Sequence, residues 1–312
     1  MKKNVLILDC TGDDWTDHHL AMLNDVIVDS IYQKRNKLLR GIRRVCYKFR
    51  LFNNSYWYGS WKYDLNKYNT IIIFSCLLGS EIFSWIRKKG YNGRLIFYYR
   101  DPQSAKYLKE DCKAINLMKN KCKVELWTFD HGDAVKHSIK YNPQFYFYTT
   151  NNSDISDIYY DAVYVGSLRG RSKEIQKIYH ELKTSGLKVK FIVKKEEKEK
   201  INVTEDFNLI DRNISYENVL KLNNLSKAIV EINQSQQNGL TVRALEALFT
   251  KKKLITNNLD IINMDFYNKN NIFIIGHDPL NLLRKFIDSD YETIPKSIID
   301  NYSAEKWLFR FM

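Results

Sequence analysis

The chain has 312 residues, of which 44% are hydrophobic and only four are proline, so its composition excludes a disordered protein and allows two α/β domains. Its five cysteines are scattered without a Cys-x-x-Cys pair, which argues against a disulfide framework or a zinc site. The net charge is +13, and the most apolar stretch, 71–86, contains Glu81 and is shorter than the roughly 20 residues of a membrane-spanning helix. The sequence therefore predicts a soluble protein or one that rests on a surface.

The first half of the sequence alternates apolar runs with amphipathic segments. Continuous apolar strands separated by helices predict a parallel sheet that is covered on both faces. The predicted elements are a strand at 4–9, a helix at 17–28, a basic helix at 31–52, a strand at 68–76, a helix at 80–89, a strand at 94–99, a helix at 104–119, a strand at 122–128 and a helix at 130–139.

A polar stretch at 151–157 is the predicted boundary between a first domain, 1–150, and a second domain, 151–295. The second domain repeats the alternation of strands and helices. Its predicted elements are a strand at 160–165, a helix at 171–185, strands at 187–193 and 208–210, a helix at 215–225, a strand at 228–232, a helix at 241–249, and strands at 254–256 and 272–275. The aromatic-rich tail, 296–312, is predicted to form helices.

The positive charge is concentrated in the basic helix, which has eight basic residues between Lys34 and Arg50 and no acidic one. Its apolar residues fall on one face at three- and four-residue steps: Ile31, Leu38, Leu39, Ile42, Val45, Cys46 and Phe49. This pattern suits an anionic membrane surface, where each basic residue contributes about 1 kcal/mol. A helix that packs on the core with a solvated basic face fits equally well. Binding of nucleic acid is a third alternative, although no recognised motif accompanies the charge.

The most informative segment runs from Gln237 to Asn257, where an apolar strand is followed by Gly239 and by a helix that begins near Thr241. The free N–H groups and the positive dipole end of such a helix suit a phosphate. Glu246, inside the same helix, can accept hydrogen bonds from a ribose diol, and Arg243 can lean toward a diphosphate. Glycine turns that open helices are nevertheless common, and Glu246 also fits a solvated helix position. Spacing alone slightly favours this second interpretation.

A second glycine turn, from Val163 to Arg171, opens the second domain between a strand and a helix. Gly166 and Gly170 permit close approach of the backbone, while Arg169 and Arg171 add positive charge. Ligands bind at this end of a strand in open α/β sheets. The turn lacks the lysine and the spacing of a P-loop, so hydrolysis of ATP is not expected.

The turn after the first strand carries acidic and aromatic residues suited to an acceptor and a base. Asp13, Asp14 and His18 are candidates for the base that removes a proton from an acceptor hydroxyl, and Trp15 suits stacking on a sugar. Asp17 also fits the role of a helix cap.

Two further strand ends place Asp101, Asp130 and His131 among the acceptor-site candidates, with capping of the following helix as the favoured alternative role for Asp130 and Asp133. His18 and His19 are adjacent and point in different directions on a helix, and Asp288-x-Asp290 lies in a surface-like region. A metal site is therefore not expected.

The pattern Gln237-x-Gly239-Leu240-Thr241-x-Arg243-x-x-Glu246, followed by Lys252-Lys-Leu-Ile-Thr256, resembles the nucleotide-binding element of GT-B-fold glycosyltransferases. More narrowly, it is similar to a group of bacterial glycosyltransferases of capsule and lipopolysaccharide biosynthesis. The Gly166–Arg171 turn also looks like the corresponding turn of that group. Asn238 stands where the general GT-B signature has an acidic residue.

The resemblance implies an α/β fold of two Rossmann-like domains facing a cleft, with the C-terminal helix, 296–312, packing back on the first domain. It implies catalysis with no metal ion or other cofactor, in the cytoplasm or on the inner face of the cytoplasmic membrane. The nucleotide-sugar donor would be held by residues of the second domain: Gly166, Arg169, Arg171, Gln237, Gly239, Leu240, Thr241, Arg243 and Glu246.

The expected function is transfer of a sugar from a nucleotide-sugar donor to a cell-surface glycan, capsule or lipopolysaccharide, or to its lipid-linked precursor. One alternative is a nucleotide-sugar epimerase on the same fold. Another is a non-catalytic basic protein that binds a membrane surface or nucleic acid through residues 31–52.

Overall fold

The computed structural model describes residues 4–9, 14–33, 37–49, 54–74, 81–101, 119–148, 158–195, 206–233 and 239–312. Its contacts divide the chain into two compact units, Met1–Pro143 and Gln144–Met312. The boundary predicted at 150/151 lies outside the described residues.

The first unit is built on a parallel sheet of six strands in the order β2-β1-β3-β4-β5-β6. The central strands β1 and β3 are buried along their whole length, as the continuous apolar runs predict. The strands are β1 (Val5–Asp9), β2 (Val26–Ser30), β3 (Thr70–Phe74), β4 (Arg94–Tyr99), β5 (Val124–Thr128) and β6 (Lys140–Tyr141). The described helices are α1 (Asp14–Ala21), α2 (Lys37–Phe49), α3 (Glu81–Lys88) and α4 (His131–His137).

The structure corrects the prediction of a helix at 17–28. The helix covers Asp14–Ala21, and Val26–Ser30 forms an edge strand that pairs with β1. Asp25 adopts a left-handed conformation with φ of 62°, which turns the chain between the two elements. The apolar residues Val26 to Val28 continue a helical spacing, so the period alone does not separate a helix from this strand.

The basic helix is also shorter than predicted. Ile31 is buried and its N–H donates to the carbonyl of Asp9 at 2.9 Å, so this part of the chain extends the sheet edge. The helix comprises Lys37–Phe49, and three short 3-10 helices follow it at Asn54–Trp57, Ser60–Tyr63 and Leu65–Lys67. The helix predicted at 104–119 lies almost entirely outside the described residues.

The second unit contains another six-stranded parallel sheet, in the order β12-β11-β10-β7-β8-β9. Its strands are β7 (Tyr160–Ser167), β8 (Val189–Lys194), β9 (Phe207–Ile210), β10 (Ser226–Glu231), β11 (Lys253–Thr256) and β12 (Ile272–Ile274). Its helices are α5 (Ser172–Thr184), α6 (Tyr216–Asn224), α7 (Val242–Phe249), α8 (Leu283–Asp288), α9 (Lys296–Asp300) and α10 (Ala304–Phe309), with short 3-10 helices at Leu259–Asn263 and Leu280–Leu282. The predicted α/β class with two Rossmann-like domains is confirmed.

The C-terminal helices pack on the segment that opens the second unit. The N–H of Tyr146 donates to the carbonyl of Tyr302, and the N–H of Ala304 donates to the carbonyl of Tyr146, each at 2.9 Å. The ring of Trp307, which is fully buried, lies 4.3 Å from the ring of Phe145. The predicted packing of this tail on the first domain stays a prediction. No helix within the described ranges is long and apolar enough to span a membrane.

Candidate functional site

The second sheet has a topological switch point between β7 and β10. These strands are neighbours, and the chain leaves them toward opposite edges of the sheet, through β8 and β9 on one side and β11 and β12 on the other. Crevices outside the carboxyl ends of such strands are where open α/β sheets bind ligands. Both sequence motifs therefore reach the same edge, since Gly166 is the next-to-last residue of β7 and α7 follows β10.

Arg171 joins the two strand ends. Its Nη1 donates to the carbonyl of Ile232, just beyond β10, and its Nη2 donates to the carbonyl of Ser167 at 2.9 Å. Its Nε donates to the carbonyl of Leu168 at 3.3 Å. The guanidinium predicted to face a diphosphate thus also fixes the geometry of the switch point, and it places its positive charge there.

The turn before Arg171 has a left-handed backbone at two successive residues, Arg169 with φ of 44° and Gly170 with φ of 76°. A non-glycine residue in this region is uncommon and often marks a functional turn. Arg169 is exposed. Gly166 is required because a Cβ there would collide with the hydroxyl and ring of Tyr164.

The charges of all three predicted arginines influence the hydroxyl of Tyr164 in β7. Burial raises the pKa of Tyr164, whereas the charges of Arg171, Arg243 and Arg169 act in the opposite direction on that pKa. Three cations near one edge of the sheet suit a ligand that carries several negative charges.

The start of α7 is fixed by a buried hydroxyl–carboxyl network. Thr241 is the N-cap, and its Oγ1 accepts from the backbone N–H of Arg243 at 3.1 Å and of Ala244 at 3.4 Å. The same hydroxyl donates to Glu231 at the end of β10, and the second oxygen of Glu231 accepts from Thr256 Oγ1 at 2.5 Å. Burial raises the pKa of Glu231, although the two hydroxyls and Arg243 act to lower it. The N-terminus of α7 is therefore held rigidly at the switch point.

Glu246 is completely buried, in contrast to a solvated helix position. Its carboxylate pairs with Arg243, one turn earlier, and accepts from Asn223 Nδ2 at 2.8 Å. Burial lowers the pKa of Arg243, but the charge and hydrogen bond of Glu246, together with Tyr216 and Tyr146, outweigh burial, and the net pKa is raised. Binding of a ribose by Glu246 stays a prediction, and it requires an oxygen of this carboxylate to become accessible.

Tyrosines that the sequence analysis did not single out surround this ion pair. Tyr216 and Tyr146 share a hydrogen bond of 2.9 Å between their hydroxyls, and the guanidinium of Arg243 lies 5.8 Å from the centroid of the Tyr216 ring. Burial raises the pKa of both tyrosines, and the charge of Glu246 raises it further. Their sequence positions carry no signal, because only the fold brings α6 and residue 146 against α7.

The first-unit candidates are only partly described. Asp13 lies outside the described residues, as does the side chain of Asp14, although Asp14 begins α1. His18 is exposed, and Trp15 is half-buried with its ring 4.2 Å from that of His19. The roles of these side chains stay predictions.

At the other strand ends, Asp130 is buried and caps α4, where its Oδ1 accepts from the N–H of Asp133 at 3.0 Å. This is the capping role that the sequence offers as an alternative. Asp101 is half-buried, and His131 is exposed with its ring 5.4 Å from that of Tyr141. The sequence analysis missed an ion pair of 3.5 Å between the buried Asp9 and Arg100.

No protein-family model matches this sequence, and no curated protein matches it. Among solved structures, the apo form of the lipopolysaccharide outer core galactosyltransferase WaaB aligns over 99% of this chain and 98% of that chain, with 11% identity and a TM-score of 0.54. The spinosyn forosaminyltransferase SpnP aligns over 100% and 98% of the two chains, with 8% identity and a TM-score of 0.47. This chain has the GT-B fold.

Within the GT-B fold of this chain, the carboxylates of the Asp288-x-Asp290 pattern offer no metal site. Asp288 pairs with Lys227 at 3.0 Å and with Arg284 at 2.6 Å. In the part of the chain that the structure describes, no group of three or more His, Cys, Asp or Glu side chains could hold a metal ion. Metal independence stays a prediction. Gln237, the first residue of the GT-B-like pattern, lies outside the described residues.

Proposed function

We propose that this chain is a glycosyltransferase that moves a sugar from a nucleotide-sugar donor to a cell-surface glycan, capsule or lipopolysaccharide, or to its lipid-linked precursor. The observation that carries the proposal is the rigid N-terminus of α7 at the switch point, beside Arg169, Arg171 and Arg243. A helix N-terminus with three nearby cations suits a diphosphate. The GT-B fold and the likeness to WaaB, named as a lipopolysaccharide galactosyltransferase, support the choice of reaction.

The second unit is proposed to hold the donor. Gln237, Gly239, Leu240 and Thr241 lead the chain into α7, whose positive N-terminal dipole favours a phosphate. Gly166 gives the turn after β7 its shape, and the exposed Arg169 reaches the phosphates directly. Stabilising the charge of the leaving diphosphate is the main contribution that fixed dipoles and cations make to such a transfer.

Glu246 is proposed to bind the ribose hydroxyls by exchange. Its carboxylate now accepts from Arg243 and Asn223. When a ribose diol takes the place of Arg243 on one oxygen, the guanidinium becomes available to the diphosphate. One carboxylate thereby couples recognition of the sugar to placement of a charge.

The first unit is proposed to bind the acceptor. Trp15 offers a surface for stacking on a sugar, and Asp13, Asp14 and His18 are the candidates for the base that removes the hydroxyl proton. Asp101 and the exposed His131 are proposed to contribute polar contacts to the acceptor, whereas Asp130 caps α4. The transfer is proposed to need no metal ion.

The chain is further proposed to work on the inner face of the cytoplasmic membrane, through α2. This helix contains five basic residues and no acidic one. Three apolar residues on one side of it are exposed: Leu38 by 73%, Ile42 by 42% and Val45 by 51%. An apolar stripe bordered by cations suits the surface of an anionic bilayer.

Calorimetric titration with UDP, GDP, ADP and CMP tests the donor site. We expect one of these nucleotides to bind, and Thr241→Val to weaken its binding about tenfold, because the cap is lost and Glu231 loses a donor. Thr241→Ser keeps the hydroxyl and should bind as the wild type does.

Thr250→Val is the matched control, since Thr250 caps the opposite end of α7, where its hydroxyl donates to the carbonyl of Glu246 at 2.6 Å. We expect this variant to keep its nucleotide affinity. Failure of the wild type to bind any of the four nucleotides would overturn the proposed function.

A further inference from the structure

Asn233 carries a buried side-chain amide nitrogen that has no hydrogen-bond partner among the described residues. The residue lies two positions beyond the end of β10, at the switch point, and is only 7% exposed. Its Nδ2 is buried and makes no hydrogen bond to any of the described residues. Native proteins rarely leave such a donor unpaired, because the loss of its water costs about 1–3 kcal/mol. An unpaired donor at a strand end therefore calls for a partner outside the protein.

The backbone that carries this side chain is held from two sides. Its N–H donates to Asn257 Oδ1 at 2.7 Å, and Asn257 Nδ2 donates to its carbonyl at 3.4 Å, which adds one rung beyond the last β10–β11 pair, Glu231 with Thr256. Arg171 binds the carbonyl of the preceding residue, Ile232. The amide is thus placed before any ligand arrives, as a preorganised binding group should be.

The charge around Asn233 indicates what its amide binds. The side-chain nitrogen only donates, so its partner must be a hydrogen-bond acceptor. Arg171 contacts the adjoining peptide, Arg171 and Arg243 act on the same Tyr164 hydroxyl, and the N-terminus of α7 adds a positive dipole. An acceptor in this field is most stable when it is anionic. A phosphate oxygen meets both requirements.

We infer that Asn233 is a binding residue of the donor site and that its side-chain amide donates a hydrogen bond to a phosphate oxygen of a nucleoside diphosphate. The inference rests on the proposed function and adds a residue to it. It also accounts for the unpaired donor, because the ligand supplies the acceptor that the free protein lacks. Without the ligand, the buried amide nitrogen stays unpaired and destabilises the protein.

Asn233→Ala tests the inference through two separate measurements. We expect the melting temperature without ligand to stay within about 1 °C of the wild type, because the amide has no partner to lose. The affinity for the nucleoside diphosphate that the wild type binds should fall about tenfold or more, as loss of a hydrogen bond to a charged group requires. Asn233→Asp should lose about 100-fold, because a carboxylate replaces the donor and repels the phosphate.

Asn271→Ala provides a matched control with the opposite expectation. Asn271 is an equally buried asparagine of the same unit, and its amide pairs with the backbone of Glu292, donating at 2.7 Å and accepting at 2.8 Å. This variant should melt at a lower temperature and bind the nucleotide with unchanged affinity once folded.

A series of nucleoside, nucleoside monophosphate and nucleoside diphosphate shows which group Asn233 meets. The effect of Asn233→Ala should be absent with the nucleoside and appear when phosphate is added. An equal effect on all three ligands, or a drop in melting temperature that matches that of Asn271→Ala, would overturn the inference. If the wild type binds a diphosphate and Asn233→Ala binds it equally well, the inference fails while the proposed function stands. If the wild type binds none, both fail.

Discussion

The sequence predicts that Glu246 and Arg243 contact the ligand. In the folded protein the two residues also form an ion pair with each other. The sequence places them three positions apart on one helix, and the structure joins them in an ion pair in which Glu246 is wholly buried. The other carboxylate oxygen of Glu246 accepts a hydrogen bond from Asn223. A buried charge that loses its partner is strongly destabilising, because the remaining charge has neither water nor a counter-ion.

Glu246→Gln should therefore lower the free energy of unfolding by about 3 kcal/mol, as measured by urea unfolding. The glutamine keeps the shape of the side chain but leaves Arg243 without its counter-charge. Binding of the nucleotide should weaken as well, since only the oxygen of the glutamine amide accepts from a ribose hydroxyl, whereas both oxygens of the carboxylate can accept.

Asp64→Asn is the control for Glu246→Gln, because Asp64 and Lys67 also pair three residues apart, at 2.9 Å, with both side chains largely exposed. Surface pairs of this kind contribute at most about 1 kcal/mol. Equal losses in the two variants would contradict a special role for the buried pair, and an unchanged nucleotide affinity in Glu246→Gln would remove the ribose role.

The role of the basic helix α2 depends on which of its residues the rest of the fold buries. The sequence assigns all of its apolar residues to one face, whereas in the structure Cys46 is buried and Leu38, Ile42 and Val45 are exposed. Arg43 turns toward the sheet edge, with its guanidinium 3.8 Å from the ring centroid of Tyr32. The burial of Cys46 fits a helix that packs on the core, and binding of a membrane surface by the exposed residues stays a prediction.

The double variant Leu38→Ser, Ile42→Ser should bind anionic liposomes about tenfold more weakly than the wild type in a cosedimentation assay, because it loses apolar area that enters the bilayer. Val135→Ser is the control, since Val135 is 70% exposed on helix α4 outside the basic segment. Wild-type binding should also fall as salt is raised. Equal sedimentation with neutral and anionic liposomes would contradict the proposed membrane contact.

At the scale of the whole molecule, the residues proposed to bind the two substrates lie in different units. The nucleotide motifs lie in the unit Gln144–Met312, and the acceptor candidates lie in Met1–Pro143. The units are built alike, from six parallel strands, so the sheets themselves do not distinguish the two roles. The two units differ instead in the charged residues and helix caps at the ends of their strands.

Hydrogen exchange should reveal this division. A bound nucleoside diphosphate should slow exchange in the turn 167–171 and at the start of α7, because ligand binding suppresses local opening. Strands β1, β3 and β4 of the first unit should exchange as in the free protein. The nucleoside without phosphate is the control ligand and should protect the α7 start less. Protection confined to the first unit would contradict the assignment of the donor site.

The sequence alone determined the fold class and most elements of the second unit, because local residue patterns are enough to predict apolar strands and capped helices. Thr241 is an example, since a threonine before an apolar helix already predicts its N-cap. The strand Val26–Ser30 was missed because its apolar run is compatible with either period, and only pairing with β1 makes it a strand.

The candidate site divides in the same way. The arginines and Gly166 follow from local pattern and resemblance. By contrast, the roles of Glu231, Asn223, Tyr216 and Asn233 arise from neighbours between 10 and 70 positions away in the sequence. Hydrogen bonds between distant residues leave no periodic trace in a single sequence. Tertiary structure alone therefore decided which polar groups at the switch point are satisfied and which one still needs a ligand.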